Sequence, residues 1–356
     1  MFEKKKVRVA INGFGRIGRA FLKVARERDD IEVVAVNDLG DIKNMAYLLK
    51  YDTVYRVAPF EVQAVEGSDP YFLITRPDGK TADKIFYLSQ KDPAQLPWKT
   101  MNIDVVVEST GLFVSYDKAK VHLDAGAKRV VITAPAKDNS DGTPSATHGE
   151  TVLLGVNEEK IKTCQITSNA SCTTNAASPL IAILDEEIGV EKAVLNTVHG
   201  YTASQGIVDG PNKKDFREGR AAAMNIVPSS TGAAIAVTKA FTKLEDRFDG
   251  VSMRVPVVAG SIVDITFISS KPTSAAEVNL ILKKAAGTDR WKNIFAVTEE
   301  DLVSSDILGN RHASIADLKF TRVVGGNLVK VLGWYDNEMG YTNTLVDHVV
   351  KAGGLI

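Results

Sequence analysis

The sequence predicts an α/β protein. A doubly wound parallel sheet occupies the first half, and an α+β half with a mostly antiparallel sheet follows. Three observations predict this. The apolar runs IEVVAV (31–36), DVVVEST (104–110) and RVVITAP (129–135) read as strands buried on both faces. The helical pattern DKAKVHLDAG (117–126) lies between two of them, the alternation that a parallel sheet requires. The later strands AVLNTV (193–198), GVSMRVP (250–256) and SIVDITFIS (261–269) instead alternate apolar with polar residues, as half-buried antiparallel strands do.

The elements follow in order. Val7, Val9 and Ile11 alternate as a strand. Glycines in NGFGRIGR break the pattern, and Ile17, Phe21, Val24 and Ala25 then recur at helical spacing. The polar stretch AKDNSDGTPSATHGE (136–150) reads as a surface loop near a domain edge. After Cys172, AASPLIAILDEE is helical in pattern. SAAEVNLILKKAAG (274–287) is a helix with Ser274 and Glu277 spaced as a capping box and Gly287 as its stop. VVGGNLVKVLGWYD (323–336) reads as a hairpin turning at Gly325, Gly326 and Asn327.

A length of 356 residues implies two domains. A net charge of −1 gives no reason to expect a nucleic-acid or membrane surface. The opening EKKK reads as a solvated terminus. No apolar run is long enough to span a bilayer, and the N-terminus lacks a secretory apolar core. Two cysteines, Cys164 and Cys172, make neither a disulfide framework nor a thiolate metal site, so a reducing cytoplasm is expected. The five histidines show no metal-binding spacing, and no metal is expected.

Gly13, Gly15 and Gly18 form G-x-G-x-x-G between a strand and a helix, and a second buried strand ends at Asn37-Asp38. This is the setting in which the motif binds a dinucleotide. The first glycine makes the turn, the second admits the pyrophosphate, and the third lets helix and strand pack. Free N–H groups and the helix dipole favour the anion. Asp38 stands 25 residues after Gly13, close to the roughly 20 expected of the ribose-binding acid. Its carboxylate would repel a 2′-phosphate, so NAD is favoured over NADP.

SNASCTTN (168–175) surrounds Cys172 with hydroxyl and amide side chains just before a helix. At a helix N-terminus the dipole is expected to lower the thiol pKa. His199, in NTVHGYTASQ, reads equally as a structural histidine or as the thiol's proton partner. Cys164, in KTCQIT, reads as buried filler within a strand. A nucleophilic thiol beside a dinucleotide site fits aldehyde oxidation through a hemithioacetal and a thioester.

The whole chain resembles the phosphorylating glyceraldehyde-3-phosphate dehydrogenase family. The resemblance rests on INGFGRIGR (11–19), VNDL (36–39), KYDTVY (50–55), KDPAQLPW (91–98), ESTGLF (108–113), ITAPAK (132–137), SNASCTTN, HGYTASQ (199–205), VDGPNKKDFREGRAAAMNIVPSSTGAA (208–234), MRVP (253–256) and WYDNEMGYTN (334–343). It implies Cys172 as nucleophile and His199 as its base. Gly13, Gly15, Arg16, Ile17 and Asp38 would hold NAD, with Lys91 near the adenine and Thr133 on the cofactor side. Asn337 would bond the nicotinamide carboxamide and Tyr341 would pack near that ring. Thr202 and Arg254 would hold the phosphate of glyceraldehyde 3-phosphate. Ser171, Thr173, Thr231 and Gly232 would hold inorganic phosphate, with Arg217 a weaker candidate.

The family's fold implies a Rossmann domain over 1–171, a catalytic domain over 172–334 and a last helix (335–356) returning to the first domain. It also implies a cytoplasmic homotetramer in which the 200–224 loop lines a neighbour's cofactor site. Three positions depart from the family's usual pattern: VVAG after RVP, Met339 and Glu218, the last adding negative charge near the phosphate region. Erythrose-4-phosphate dehydrogenase and a catalytically silent NAD-binding scaffold are the alternatives. Tyr201-Thr202 and the intact Cys172 and His199 argue against them.

Overall fold

A computed structural model describes residues 5–75, 79, 82–137, 143–213 and 215–356. The start of the EKKK stretch, residues 138–142 of the polar loop and Lys214 lie outside the described residues. The chain divides into two compact units. One comprises residues up to Val152, Glu159–Asn169 and Leu345–Ile356; the other comprises Leu153–Glu158 and Ala170–Thr344.

The first unit begins with β1 (Val7–Asn12), α1 (Arg16–Ala25), β2 (Ile31–Asn37) and α2 (Ile42–Lys50). A short ribbon, β3 (Tyr51–Asp52) with β4 (Arg56–Val57), leads into β5 (Glu61–Val65), β6 (Tyr71–Thr75) and β7 (Ala82–Leu88). Then come β8 (Val105–Glu108), α3 (Tyr116–Ala119), α4 (Val121–Asp124), β9 (Arg129–Ile132), β10 (Gly149–Thr151) and β11 (Ile166–Ser168). One sheet runs β10-β11-β9-β8-β1-β2-β7-β6-β5. All its pairings are parallel except β7 with β6 and β6 with β5.

The apolar runs read as buried strands are β2, β8 and β9, and β8 and the end of β1 lie in the core. The chain reverses its winding at β1, which has β2 on one side and β8 on the other. The carboxyl ends of β1 and β8 therefore flank the crevice where such sheets bind ligands. The antiparallel edge formed by β5 to β7 is absent from the sequence reading. EVQAV and YFLIT are strands of only five residues each, and YFLIT has almost no polar residue to mark one face. The 117–126 pattern is two helical turns, α3 and α4, rather than one helix.

The second unit opens with α5 (Cys172–Ile188), β12 (Val190–Gly200), β13 (Val227–Ser230), α6 (Ala233–Thr238), β14 (Phe248–Val255) and β15 (Ser261–Ser269). It continues with α7 (Ala275–Ala286), β16 (Phe295–Thr298), β17 (Ser314–Asp317), β18 (Arg322–Val324), β19 (Leu328–Tyr335) and α8 (Met339–Gly353), whose last residues belong to the first unit. The sheet order is β13-β14-β12-β15-β19-β17-β16, with β18 paired to β19. Only β12 with β14 and β16 with β17 are parallel.

Helix α5 lies against β12, β15, β17 and β19, and is buried around most of its circumference in spite of Pro179. The α7 cap forms from one side only. Ser274 accepts from Glu277 N–H, while the Glu277 carboxylate accepts from Thr273 Oγ1. The β18–β19 hairpin turns through Gly325 and Gly326 at φ of 59° and 80°, which explains the two glycines.

Candidate active site

In the first unit the glycine turn is built as its spacing requires. Gly13 has φ +96°, and a Cβ there would lie 2.6 Å from Thr110 N. A Cβ on Gly18 would lie 2.3 Å from Gly13 O. Nothing stands within 4 Å of a Cβ built on Gly15, and its helix carries no side-chain cap. A helix start with no side-chain cap and with open space beside its cap residue suits an anion. Asp38 secures the turn: Oδ2 accepts from Phe14 N at 2.6 Å and Oδ1 from Gly40 N at 2.9 Å. The acid read as a ribose ligand is therefore also a strut for the phosphate turn. Arg16 pairs with Asp52 at 2.8 Å, Lys91 is exposed, and Thr133 follows β9 with its N–H on Glu108 O.

Beneath the turn lies a buried polar chain that sequence reasoning missed. Trp98 Nε1 donates to His122 Nδ1 at 3.2 Å, and His122 Nε2 faces Glu108 Oε2 at 3.0 Å. Because an indole N–H can only donate, Nδ1 accepts and Nε2–H donates to the carboxylate. Asn12 Nδ2 donates to the same Oε2 at 2.7 Å, and Asn37 Nδ2 donates to Asn12 Oδ1 at 2.7 Å. The available signal was a polar residue closing each of three apolar strands: Asn12, Asn37 and Glu108.

In the second unit Cys172 is the first residue of α5. Ser171 is the cap, its Oγ accepting from Thr174 N at 3.1 Å. The preceding Ala170 is held at φ +54°, and Tyr341 OH donates to its carbonyl at 3.1 Å. His199 is the penultimate residue of β12, and Arg254 is its register partner on β14. Cys172 Sγ lies 3.4 Å from His199 Nε2. His199 Nδ1 lies 2.6 Å from Gly200 O and 2.7 Å from Arg254 Nη1. Tyr335, also missed from sequence, packs edge-on to the imidazole. Its OH bonds Thr173 Oγ1 at 2.9 Å and Thr197 Oγ1 at 2.7 Å.

The electrostatics correct one expectation. A helix N-terminus should lower the thiol pKa, but burial pushes Cys172 up and outweighs Arg254, the Thr173 side chain and the local backbone N–H groups, which pull it down. Cys172 keeps some exposed surface, yet protein surrounds it on nearly every side. Burial, with Arg254 second, pushes His199 down to about 4. The pair is therefore neutral, with the proton on sulfur and Nε2 as acceptor. That places the imidazole proton on Nδ1, with Gly200 O at 2.6 Å as its acceptor; Arg254 Nη1, 2.7 Å from the same nitrogen, is donor-only and stands beside it as a charge, not as its hydrogen-bond partner.

Thr202 Oγ1 bonds Ser204 Oγ at 3.1 Å, and Thr231 Oγ1 accepts from Ala233 N at 3.2 Å beside Gly232, the cap of α6. Thr173, expected to offer its hydroxyl to phosphate, is buried with that hydroxyl on Tyr335. Arg254 Nε is buried without a partner. Asn337 Oδ1 accepts from Gly260 N at 3.0 Å and Ser261 Oγ at 3.1 Å, so its Nδ2 is the group left to present. The unusual VVAG segment therefore supplies one of the supports of Asn337. Glu218 accepts from Ser229 Oγ at 2.9 Å, which ties the 206–220 loop to β13. Cys164 is buried but precedes β11 rather than lying inside a strand; its thiol donates to Ile166 O at 3.1 Å.

Two family models match the chain. One, described as the NAD binding domain of glyceraldehyde 3-phosphate dehydrogenase, covers residues 7–116; the other, the C-terminal domain of the same enzyme, covers residues 171–337. Among curated relatives, the glyceraldehyde-3-phosphate dehydrogenase of Mycobacterium avium is 46% identical over 353 residues, covering 98% of each chain. That of Streptomyces coelicolor is 45% identical over 350 residues, with 98% of each covered. That of Thermotoga maritima is 47% identical over 343 residues, covering 96% of this chain and 97% of its own.

Proposed function

The chain belongs to the glyceraldehyde-3-phosphate dehydrogenase family, and from that premise we propose that it oxidises D-glyceraldehyde 3-phosphate with NAD and inorganic phosphate to 1,3-bisphosphoglycerate. The observation that carries the reading is the approach of Cys172 Sγ to His199 Nε2 at 3.4 Å, with Arg254 against the far side of the imidazole.

The residues divide the work as follows. His199 Nε2 takes the thiol proton as Cys172 Sγ bonds to the aldehyde carbon, and returns it to the carbonyl oxygen, giving a hemithioacetal. Bound NAD supplies the acceptor for the hydride that leaves this carbon. As that hydride departs, Nε2 takes the hydroxyl proton and a thioester remains on Cys172. A phosphate oxygen then adds to the thioester carbonyl, the C–S bond breaks, and the acyl phosphate leaves.

Burial keeps the imidazole neutral, so Nε2 is available to accept, but it also disfavours a standing thiolate–imidazolium pair, so the proton leaves sulfur as the C–S bond forms. Gly13, Gly15, Arg16, Ile17 and Asp38 would hold the cofactor. The uncapped α1 N-terminus and the open space at Gly15 fit its pyrophosphate. Lys91 and Thr133 are assigned to the same ligand. Asn337 would direct Nδ2 to the carboxamide.

Arg254 and Thr202 would hold the substrate phosphate; the unpartnered buried Nε of Arg254 supports this, since a guanidinium is all donors. Ser171, Thr231 and Gly232 would serve inorganic phosphate, with Thr173 contributing its backbone N–H. The division into an NAD-binding domain (1–171, joined by 335–356) and a catalytic domain (172–334) is read from the same resemblance. Among the described residues no helix is long and apolar enough to cross a membrane, and a cytoplasmic setting is proposed.

A homotetramer is also proposed. Ile207, Val208, Phe216 and Met224 are 74–88% exposed within one loop, an apolar surface that a partner copy would cover. Steady-state assays with NAD, varying aldehyde and phosphate, test the chemistry. Phosphate-dependent turnover of glyceraldehyde 3-phosphate is expected. Preference for erythrose 4-phosphate, or acid formation indifferent to phosphate, would overturn the reading.

A further inference from the structure

We infer that Ser261 is a positioning residue that sets, through one hydroxyl, both the amide orientation of Asn337 and the peptide that orients His199. The inference rests on the roles proposed above for those two residues. Ser261 is buried at the start of β15. Its Oγ lies 3.1 Å from Asn337 Oδ1 and 3.2 Å from Gly200 N. A hydroxyl has one proton to give. An amide N–H cannot accept, so Gly200 N–H donates to Ser261. The hydroxyl proton is then committed to Asn337 Oδ1.

Each end of this bridge has further partners. Asn337 Oδ1 also accepts Gly260 N–H at 3.0 Å. Two donors fill its two lone-pair directions, and Nδ2 must point the other way. Gly260 must be glycine: its φ is +88°, and a Cβ there would lie 2.5 Å from Ser304 O. At the other end, Gly200 O receives His199 Nδ1 at 2.6 Å, and the next residue's N–H is tied to Val257 O at 3.0 Å. Gly200, whose carbonyl is the acceptor nearest His199 Nδ1, is thus anchored on its N–H side by Ser261. Removing the hydroxyl takes that acceptor from a buried N–H and leaves Asn337 with one donor instead of two.

Equilibrium binding separates this from a general packing role. ADP-ribose carries everything in NAD except the nicotinamide, so it does not engage Asn337. Titration of Ser261→Ala with NAD is expected to give a Kd raised roughly five- to tenfold, the worth of one hydrogen bond. Its Kd for ADP-ribose should match wild type. Without cofactor, iodoacetamide should alkylate Cys172 of Ser261→Ala several-fold more slowly at pH 7, because Nε2 is no longer held as acceptor. Ser261→Thr, which restores a hydroxyl, should recover both properties.

Equal loss of NAD and ADP-ribose affinity in Ser261→Ala would overturn the inference, since the lesion would then be global. So would wild-type NAD binding in Ser261→Ala while Asn337→Ala discriminates between the two ligands. If Asn337→Ala binds both ligands as wild type does, the role of Asn337 falls first and this inference falls with it. That result is distinguishable from the others.

Discussion

Cys172 Sγ and His199 Nε2 meet at 3.4 Å across two elements, the first turn of α5 and the last residues of β12, although the two residues stand 27 positions apart in the chain. The contact has a direction. Burial holds the thiol protonated and the imidazole neutral, so sulfur donates and nitrogen accepts. Replacing the acceptor by His199→Asn should lower kcat by roughly a hundredfold to ten-thousandfold, the range of a lost general base. NAD affinity should stay within about twofold. Rapid-quench measurement of NADH formation and an NAD titration check this; an unchanged burst rate would remove His199 from the proton path.

Arg254 touches the same imidazole from β14, and its charge is the second cause, after burial, of the low His199 pKa. Arg254→Met should therefore have two effects. The KM for glyceraldehyde 3-phosphate should rise by roughly ten- to a hundredfold, as expected when a charge-assisted bond to phosphate is lost. The acidic limb of the kcat/KM profile should also move to higher pH, because a guanidinium no longer disfavours imidazolium. A raised KM with an unmoved limb would mean that the Arg254–His199 contact of 2.7 Å has no electrostatic consequence.

How much of this was legible in the sequence depends on how local the physics is. The glycine turn was readable because Gly13 and Gly18 obey contacts made within one strand–turn–helix unit. The capped position of Cys172 was readable for the same reason. The direction of its pKa was not. A dipole is a property of the helix it begins, whereas burial comes from β12, β14 and β19, far along the chain. Tyr335 and Ser261 were invisible because nothing beside them in sequence hints that their hydroxyls end at Thr173, Thr197, Gly200 and Asn337. The β5–β7 edge escaped because its strands are short and only partly buried.

Asp38 carries two duties, which a cofactor comparison can separate. Its oxygens hold Phe14 N and Gly40 N, and its charge is the one proposed to meet the ribose hydroxyls. Asp38→Asn removes the charge and keeps an acceptor for only one of the two turn N–H groups, so the cofactor ratio, in which a loosened turn weakens both ligands alike, is the readout that reports the charge. The ratio of kcat/KM for NADP to that for NAD should rise by about tenfold or more, with NAD turnover weakened but present, since a charged hydrogen bond is worth roughly 1.5–3 kcal/mol. An unchanged ratio would place cofactor selection elsewhere.

His348 makes stability depend on pH. It is buried on α8 between Thr167 Oγ1 at 2.8 Å and Asn169 Oδ1 at 3.0 Å. Burial, aided by Arg129 and Lys351, pushes it down to about 3. The unfolded chain thus takes up a proton near the ordinary histidine pKa of about 6.5, whereas the folded chain does not. Its contribution is complete above that pH and is lost as pH falls towards 3. By pH 5 the loss amounts to about 2 kcal/mol. His199 adds to the loss in the same direction. Denaturant melts at pH 8 and pH 5 should give a smaller difference for His348→Gln than for wild type; identical differences would place the titration on other groups.

The loop carrying Ile207, Val208, Phe216 and Met224 sets the last expectation. Each side chain is at least 74% exposed, and the segment is held in shape by Gly206 N on Glu218 O at 3.0 Å and by the Glu218–Ser229 bond. A loop so braced from within does not need these apolar groups to fold, so their exposure calls for a cover. At sedimentation equilibrium the protein should run at about four times its 38.5 kDa chain mass. Phe216→Asp should shift it to smaller species while the far-ultraviolet spectrum is kept, because burying an unpaired charge at an interface costs several kcal/mol. Loss of the spectrum together with the assembly would show instead that the loop is part of the unit's own core.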